Sequence, residues 1–235
     1  MRINSMNKKE VLLLGIGNVL WADEGFGVRC IEEINRQYRF PENIKLMDGG
    51  TQGIYLVQHV QMADILVVFD AIDYHLEPGD IKVIEDDDVP NFMGAKKMSL
   101  HQTGFQEVLS TSKLLGDYPE KILLIGVQPV ELEDFGGSLR PAVKSQIEPA
   151  IAIAVDYLTN LGIAVEKRDQ PLPVIERLSP SELALEQYEA GRPSEDEACR
   201  SGDDRVLLDD SIKFDPKPSP IEQPMSVDVD HRGQY

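Results

Sequence analysis

The stretch from Val11 to Val28 reads V-L-L-L-G-I-G-N-V-L-W-A-D-E-G-F-G-V, and it decides the fold. Val11 to Leu14 form a continuous apolar run followed by Gly15 and Gly17, a pattern typical of a strand buried on both faces. Apolar residues then recur at the three- and four-residue spacing of a helix, at Val28, Cys30, Ile31 and Ile34. The stretch therefore predicts the central strand of a parallel sheet, a glycine turn, an acidic loop and a helix.

A strand, a G-x-G turn and a helix also occur in dinucleotide-binding folds, because glycines let backbone amides approach a pyrophosphate. Here Leu20 stands in place of the third glycine, and Asp23 and Glu24 carry negative charge where the phosphates would lie. Carboxylates repel phosphates, so we expect no nucleotide. Asp23 has an ordinary role as the N-cap of the following helix, whereas Glu24 is placed to bind a cation.

Four further apolar runs predict strands, and they alternate with stretches of helical periodicity. We expect strands at Ile44–Met47, Ile65–Phe69, Gly79–Ile84 and Ile122–Val127, and helices at Ile54–Val60, Phe105–Leu115 and Ala142–Leu161. The run Gly79–Ile84 is more polar than the others, which places it nearer an edge. The alternation predicts an α/β fold, a three-layer α/β/α sandwich around a mostly parallel twisted sheet of about five strands.

The composition changes after Ala164, where prolines punctuate a polar, acidic stretch that has too few apolar residues to form a second core. We therefore predict an α/β domain over residues 1–163 and an acidic, proline-rich extension over residues 164–235. Serine followed three residues later by glutamate, at Ser179 and Ser194, indicates two short helices in the extension. From Asp209 onward we expect disorder, so the tail is largely irregular.

The formal net charge of -18 bears on the partners of the chain. Nucleic acid and anionic membranes are bound through excess Lys and Arg, so we expect neither, and a neutral or basic protein partner fits better. The polar N-terminus predicts no signal peptide, and the two cysteines form neither a disulfide framework nor a zinc motif. We expect a cytoplasmic monomer.

Three side chains are predicted to meet at one edge of the sheet. Glu24 follows the first strand, Asp70 ends the strand Ile65–Phe69, and His101 lies in a long loop that can fold over the same edge. Each also has an ordinary role: a solvated acid at a helix start, a turn-capping Asp and a loop-anchoring His. Together they form an open set of oxygen and nitrogen ligands that would accept nickel or zinc.

The motifs D-E-G-F-G, D-G-G-T, V-V-F-D-A, S-L-H-Q-T-G and G-V-Q-P occur here in an order that resembles the nickel-iron hydrogenase maturation proteases. These endopeptidases trim the C-terminus of the hydrogenase large subunit, and the similarity runs from about Val11 to Gly162. The resemblance implies that Glu24, Asp70 and His101 bind nickel, with Asp70 also catalytic. It further implies that the substrate is bound by Asp48, Gly49, Gly50 and Gln128.

The resemblance predicts an endopeptidase that removes the C-terminal peptide of the large-subunit precursor after nickel insertion and recognises the bound nickel. The nickel would be shared with the substrate, and the family is grouped with the aspartic-type peptidases. Peptide cleavage could use a metal-polarised carbonyl, a metal-activated water or an Asp as general base. Two alternatives stay open: a non-catalytic chaperone of the immature large subunit, and a nucleotide-binding oxidoreductase domain.

Overall fold

A five-stranded sheet forms the middle layer of the protein, with the strand order β3-β1-β4-β6-β5. The first four of these strands are parallel, and β5 runs antiparallel to β6 at the edge. A separate two-stranded antiparallel ribbon joins β2 to β7. The strands of the described residues are β1 Val11–Ile16, β2 Tyr38–Arg39, β3 Ile44–Gly50, β4 Ile65–Ala71, β5 Ile81–Glu85, β6 Lys121–Val127 and β7 Glu166–Lys167.

The computed structural model describes residues 8–93, 100–173 and 176–192, without the side chains of residues 91–93 and 100–103. These ranges belong to one compact unit, Met1–Glu197. Its described helices are α1 Phe26–Gln37, α2 Val57–Met62, α3 Asp88–Met93, α4 Leu100–Leu115, α5 Pro141–Lys144, α6 Ile147–Asn160 and α7 Leu185–Ala190. Short 3-10 turns occur at Ala22–Gly25, Gly53–Leu56 and Ser181–Leu183.

Helices cover both faces of the sheet because its central strands are apolar on both faces, apart from Asp70 near the end of β4. All six residues of β1 and all seven of β4 are buried, and alternate residues of each strand belong to two separate cores. One core lies under α1 and α6, and the other lies under α2, α3 and α4. The predicted three-layer α/β/α sandwich is thus confirmed, as is the position of the more polar β5 at an edge.

All five predicted strands are confirmed, but the three helix predictions are wrong in their limits. The helix expected over Ile54–Val60 is the 3-10 turn Gly53–Leu56 followed by α2. The helix expected over Ala142–Leu161 is interrupted at residues 145–146 and forms α5 and α6. The helix expected from Phe105 begins at Leu100, so His101 lies in its first turn and not in a loop. Gly104 weakens a helix in general, but here its backbone packs closely against Gly53 of the turn after β3.

The chain leaves β1 and β4 in opposite directions. From β1 it passes through α1 to β3 on one side, whereas after β4 it continues through β5 and α4 to β6 on the other side. In open α/β sheets ligands bind where neighbouring strands diverge in this way, beyond their carboxyl ends. The topology therefore directs attention to the residues that follow β1 and end β4.

The described part of the C-terminal extension packs on the sandwich. Leu185 contacts the core under α1 and α6, and Ala184 is 4% exposed. The N-cap of the turn Ser181–Leu183 is Pro180, without a side-chain hydrogen bond, so the capping box predicted at Ser179 is wrong. The box at Ser194 and the disorder expected after Asp209 lie outside the described residues, and the domain boundary at residue 163 stays a prediction.

Among the described residues, no helix combines the length and the apolar character needed to cross a membrane.

Candidate active site

Asp70 lies at the carboxyl end of the central strand β4, as the sequence predicts. Its side chain is completely buried. Strand alternation places it on the face of Val68, which belongs to the core under α4. The backbone N–H of Ala71 donates a 2.8 Å hydrogen bond to its Oδ1. The carboxylate is thus shielded from water and one of its oxygens is fixed by the backbone.

Glu24 lies in the 3-10 turn Ala22–Gly25, which connects β1 to α1, and its side chain is half-buried. Gly17 lets the chain fold tightly into this turn. It has a φ of +135°, and a Cβ at this position would lie 1.8 Å from the carbonyl oxygen of Glu24. The turn therefore holds Glu24 directly above the end of β1.

Gly27 brings Glu24 and Asp70 to the same place, because it lets the first turn of α1 touch two strand ends. A Cβ on Gly27 would lie 2.1 Å from the carbonyl oxygen of Phe69, the neighbour of Asp70 in β4. The same Cβ would lie 2.3 Å from the carbonyl oxygen of Ile16 at the end of β1. Glu24 is three residues before Gly27, so both acids lie at the divergence of β1 and β4.

The first turn of α4, which contains His101, packs on the face of the sheet that carries Asp70. Phe105 of this helix is buried in the same core as Val68. A Cβ on Gly104 would lie 3.4 Å from the Cα of Gly53, which places the start of α4 beside the turn that follows β3. The backbone of His101 is therefore near the carboxyl edge of the sheet, while its side chain lies outside the described residues.

Asp23 is not the N-cap of α1, contrary to the sequence prediction. The N-cap is Gly25, which makes no side-chain hydrogen bond, and Asp23 is completely buried. Its Oδ2 accepts hydrogen bonds from the backbone N–H groups of Val130 and Glu131, at 2.8 and 2.9 Å. Its Oδ1 accepts one from the N–H of Arg140, at 2.6 Å. Asp23 thus ties the turn of Glu24 to the β6–α5 loop, residues 128–140.

Asp48, Gly49 and Gly50 are the last residues of β3, where the sequence predicted a turn, and this end of β3 pairs with β1 at the same edge of the sheet. Oδ1 of Asp48 accepts a 2.9 Å hydrogen bond from the N–H of Gly50, which has a φ of +46°. Burial raises the pKa of Asp48. Gly49 packs against Leu14, where a Cβ would lie 2.7 Å from the leucine Cδ1. Substrate binding by Asp48, Gly49 and Gly50 stays a prediction, and the structure gives each of them a role in the shape of this strand end.

Gln128 follows β6 and uses its side chain within the protein. Its Oε1 accepts hydrogen bonds from the N–H groups of Tyr74 and Leu76, at 2.8 and 3.1 Å. Its Nε2 donates to Oδ1 of Asp73 at 3.0 Å. These contacts fix the loop that follows Asp70, so the substrate-binding role predicted for Gln128 would have to use the same amide group.

Tyr74 is a residue of the site that the sequence did not reveal. Its ring lies over Gly126, the partner of Asp70 in the parallel pair of β4 and β6, and a Cβ on Gly126 would lie 2.5 Å from the tyrosine hydroxyl. Burial, together with the charge of Asp70, raises the pKa of Tyr74. The available signal was Gly126 itself, because a glycine inside a buried strand indicates a close neighbour.

The space beside the glycines that suggested a nucleotide site is filled by the backbone of the protein itself. A Cβ on Gly15 would lie 2.3 Å from the carbonyl oxygen of Gly27, just as Gly17 faces the carbonyl of Glu24. These glycines make room for the backbone of α1 and its preceding turn, so the nucleotide-binding alternative loses its main support.

Cys30 offers no alternative nucleophile. It is completely buried under α1, as predicted, and burial raises the pKa of its thiol, with smaller contributions from the charges of Glu148 and Glu33. A buried thiol of raised pKa stays protonated and unreactive.

The carboxylates Glu24 and Asp70 supply hard oxygen ligands, and His101 would add an imidazole nitrogen, a donor set that suits nickel or zinc. Among the side chains that the structure describes, which do not include His101, no three His, Cys, Asp or Glu residues come together to hold a metal. The described acids alone therefore do not form a closed metal site.

Comparison with known proteins adds a second line of evidence. Residues 28–157, more than half of the chain, match the family model described as hydrogenase maturation protease. The chain belongs to this family. The match contains Asp70 and His101, while Glu24 precedes it. Membership in a family of endopeptidases makes the protein a hydrolase of peptide bonds.

Individual relatives agree with this assignment. The chain is 59% identical over 210 residues to the hydrogenase expression/formation protein HoxM of Azotobacter vinelandii, covering 89% of this chain and 100% of that protein. It is 36% identical over 160 residues to the Hydrogenase 2 maturation protease of Escherichia coli, covering 68% and 96%. The solved structure of the E. coli hydrogenase-maturating endopeptidase HybD superimposes with a TM-score of 0.65 at 36% identity, covering 68% of this chain and 98% of HybD.

Proposed function

We propose that this hydrogenase maturation protease removes the C-terminal peptide of a nickel-iron hydrogenase large-subunit precursor after nickel has been inserted. The observation that supports the proposal is that the turn of Glu24 contacts β4, which ends at Asp70, where β1 and β4 diverge and Gly27 touches Phe69 and Ile16. The start of α4, with His101, lies beside the same edge. Family membership supports the substrate class.

The three proposed ligands are too few to close a coordination shell, so they suit a metal that the substrate already holds. In this scheme Glu24, Asp70 and His101 complete the coordination of nickel in the precursor, and recognition becomes a check that nickel is present. A precursor without nickel would offer these side chains nothing to bind. The formal net charge of -18 favours a neutral or basic surface on the partner.

Asp70 is the side chain to which we assign the chemistry. Its fixed carboxylate suits a general base that takes a proton from the attacking water, while the nickel of the substrate polarises the scissile carbonyl. This is a single strand-end aspartate, and it differs from the paired carboxylates of pepsin-like enzymes. We therefore assign the enzyme to the aspartic-type peptidases because an aspartate is the proposed general base, and not because its site resembles the paired carboxylates of pepsin-like enzymes.

The burial of Asp70 adds a requirement to the proposal. A completely buried carboxylate cannot reach a metal held by another protein, so binding of the precursor must open the edge of the sheet above β4. Such an opening would couple recognition to catalysis, because the carboxylate would meet water only when the substrate replaces its cover.

A chaperone that holds the immature large subunit without cutting it would need the same ligands. Incubation of purified protein with nickel-loaded and nickel-free precursor, followed by intact-mass measurement, separates the two functions. We expect a loss of mass equal to one C-terminal peptide in the nickel-loaded precursor alone. A stable complex with unchanged precursor mass would favour the chaperone, and equal cutting of both precursors would exclude the nickel check.

A further inference from the structure

The C-terminal segment 181–190 covers a buried arginine of the sandwich. Arg29 of α1 is 3% exposed, and its guanidinium donates to the carboxylate of Glu32 at 2.8 Å and to the carbonyl oxygen of Leu183. The ring of Tyr188 lies 5.5 Å from the same guanidinium. A buried charge needs such partners, so these contacts hold the segment in a defined position on α1.

Helix α7 also forms hydrogen bonds with the β6–α5 loop. The hydroxyl of Tyr188 donates a 3.2 Å hydrogen bond to the carbonyl oxygen of Gly137. Glu189 accepts a 2.8 Å hydrogen bond from the hydroxyl of Ser138, which is 6% exposed, and pairs with Lys144 at 2.7 Å. Two consecutive residues of α7 thus hold two consecutive residues of the loop.

The opposite side of the loop is bound to the turn of Glu24. Besides the three backbone groups that donate to Asp23, the N–H of Gly136 donates a 2.7 Å hydrogen bond to the carbonyl oxygen of Leu20. The rings of Trp21 and Phe135 meet edge to face at 5.3 Å. Residues 136–138 therefore lie between α7 and the Glu24 turn, with hydrogen bonds to both.

The lengths of the matches separate this segment from the family's common domain. The 160-residue match to the E. coli Hydrogenase 2 maturation protease is too short to run from β1 through α7, although it covers 96% of that protein. The 210-residue match to the Azotobacter protein is long enough to include both. The match to the family model ends at residue 157, before α7, so α7 lies outside the part of the chain that matches the family model.

We propose that α7 is a positioning element of the reaction in this protein. Tyr188 and Glu189 fix the β6–α5 loop, and the loop, through Asp23, fixes Glu24 relative to Asp70. Neither residue touches the substrate. The kinetic part of this proposal rests on the proposed function, whereas the structural part does not.

The structural part is tested by hydrogen exchange of the full-length protein carrying Tyr188→Phe together with Glu189→Ala. Phenylalanine keeps the ring on Arg29 while removing the hydroxyl. We expect the exchange of the Asp23-bound amides of Val130, Glu131 and Arg140 to accelerate by about tenfold, as loss of one or two hydrogen bonds allows. The amides of β1 and β4 should exchange at the wild-type rate. Unchanged exchange of the three loop amides would overturn the proposal, and so would faster exchange of the whole core.

The kinetic part compares the same variant with Glu186→Ala, which removes an exposed charge from α7 that pairs with Arg177 away from the loop. We expect kcat on nickel-loaded precursor to fall about fivefold to tenfold in the double variant, with KM changed less than twofold, and Glu189→Gln to recover part of the loss. Glu186→Ala should cleave normally. A rise of KM at constant kcat would contradict positioning and assign α7 to substrate contact. If wild-type protein fails to cleave, the proposed function fails while the exchange result still decides the structural claim.

Discussion

At the level of single residues, the site depends on a buried aspartate and on a glycine as much as on its proposed ligands. Asp23 is buried with three backbone donors, and Gly27 lets α1 touch the ends of β1 and β4. Both positions control where Glu24 lies, although neither is a proposed ligand. Two predictions follow from their contacts.

Asp23→Asn is expected to destabilise the protein, although asparagine caps helices as well as aspartate does. One of the two oxygens would become an NH2 group facing backbone N–H donors, leaving buried donors unsatisfied at a cost of about 2 kcal/mol. Thermal unfolding should show a melting temperature lower by roughly 5 °C. Asp156→Asn, on the exposed side of α6, is the matched control and should leave the melting temperature unchanged. Equal melting of both variants would mean that the Asp23 contacts contribute nothing.

Gly27→Ala is expected to disturb the site, because α1 packs against two strand ends at this position. The new Cβ would lie 2.1 Å from one backbone oxygen and 2.3 Å from another, so α1 must move, at a cost of about 3 kcal/mol. Denaturant unfolding measures this loss. Gly104→Ala is the control, because its Cβ would lie 3.4 Å from the nearest atom and alanine favours the helix by up to about 1 kcal/mol. A Gly27→Ala protein as stable as wild type would show that α1 is not in close contact with the strands.

Among the helices and strands, the sequence predicted those that a local pattern of residues determines. The five strands were predictable because each is a short apolar run bounded by polar or turn residues, and α1 because its apolar stripe is regular. The partners of Asp23, more than a hundred residues away, have no local signal, and neither does the contact of Tyr74 with Gly126. The start of α4 was missed because Gly104 indicates a break unless its packing against Gly53 is known.

The contact between α7 and the loop should depend on pH through Glu189. Burial acts to raise the pKa of Glu189, but hydrogen bonds from Lys144 and Ser138 outweigh it and lower the pKa below its ordinary value. Because the folded pKa is the lower one, the stabilisation is fully present above the ordinary glutamate pKa and is lost as the pH falls through the folded value.

We therefore expect wild type to melt above Glu189→Gln near pH 7, and the difference to close towards about pH 3. Thermal unfolding of both proteins across this range measures the effect. A difference that stays constant with pH would show that the charge of Glu189 has no part in the contact.

At the scale of the whole molecule, the sandwich and the segment up to α7 form one unit, and the site lies where its topology diverges. The acidic composition of the remaining tail gives it few apolar residues to bury. Truncation after Val206 should therefore leave the melting temperature within a few degrees of wild type and cleavage intact. Loss of folding on this truncation would show that residues beyond 206 belong to the core.

The most direct test of the proposed site is the conversion of nickel-loaded precursor by Asp70→Asn, measured by mass against wild type. Asparagine keeps the shape and one oxygen of the side chain but removes the charge and the basicity. We predict that the variant folds, because the asparagine oxygen can still accept the hydrogen bond from the N–H of Ala71, and that it cleaves at least about a hundredfold more slowly than wild type. Wild-type protein should leave nickel-free precursor intact in the same assay. Normal cleavage by a folded Asp70→Asn protein would show that the charge of Asp70 is not needed for the reaction.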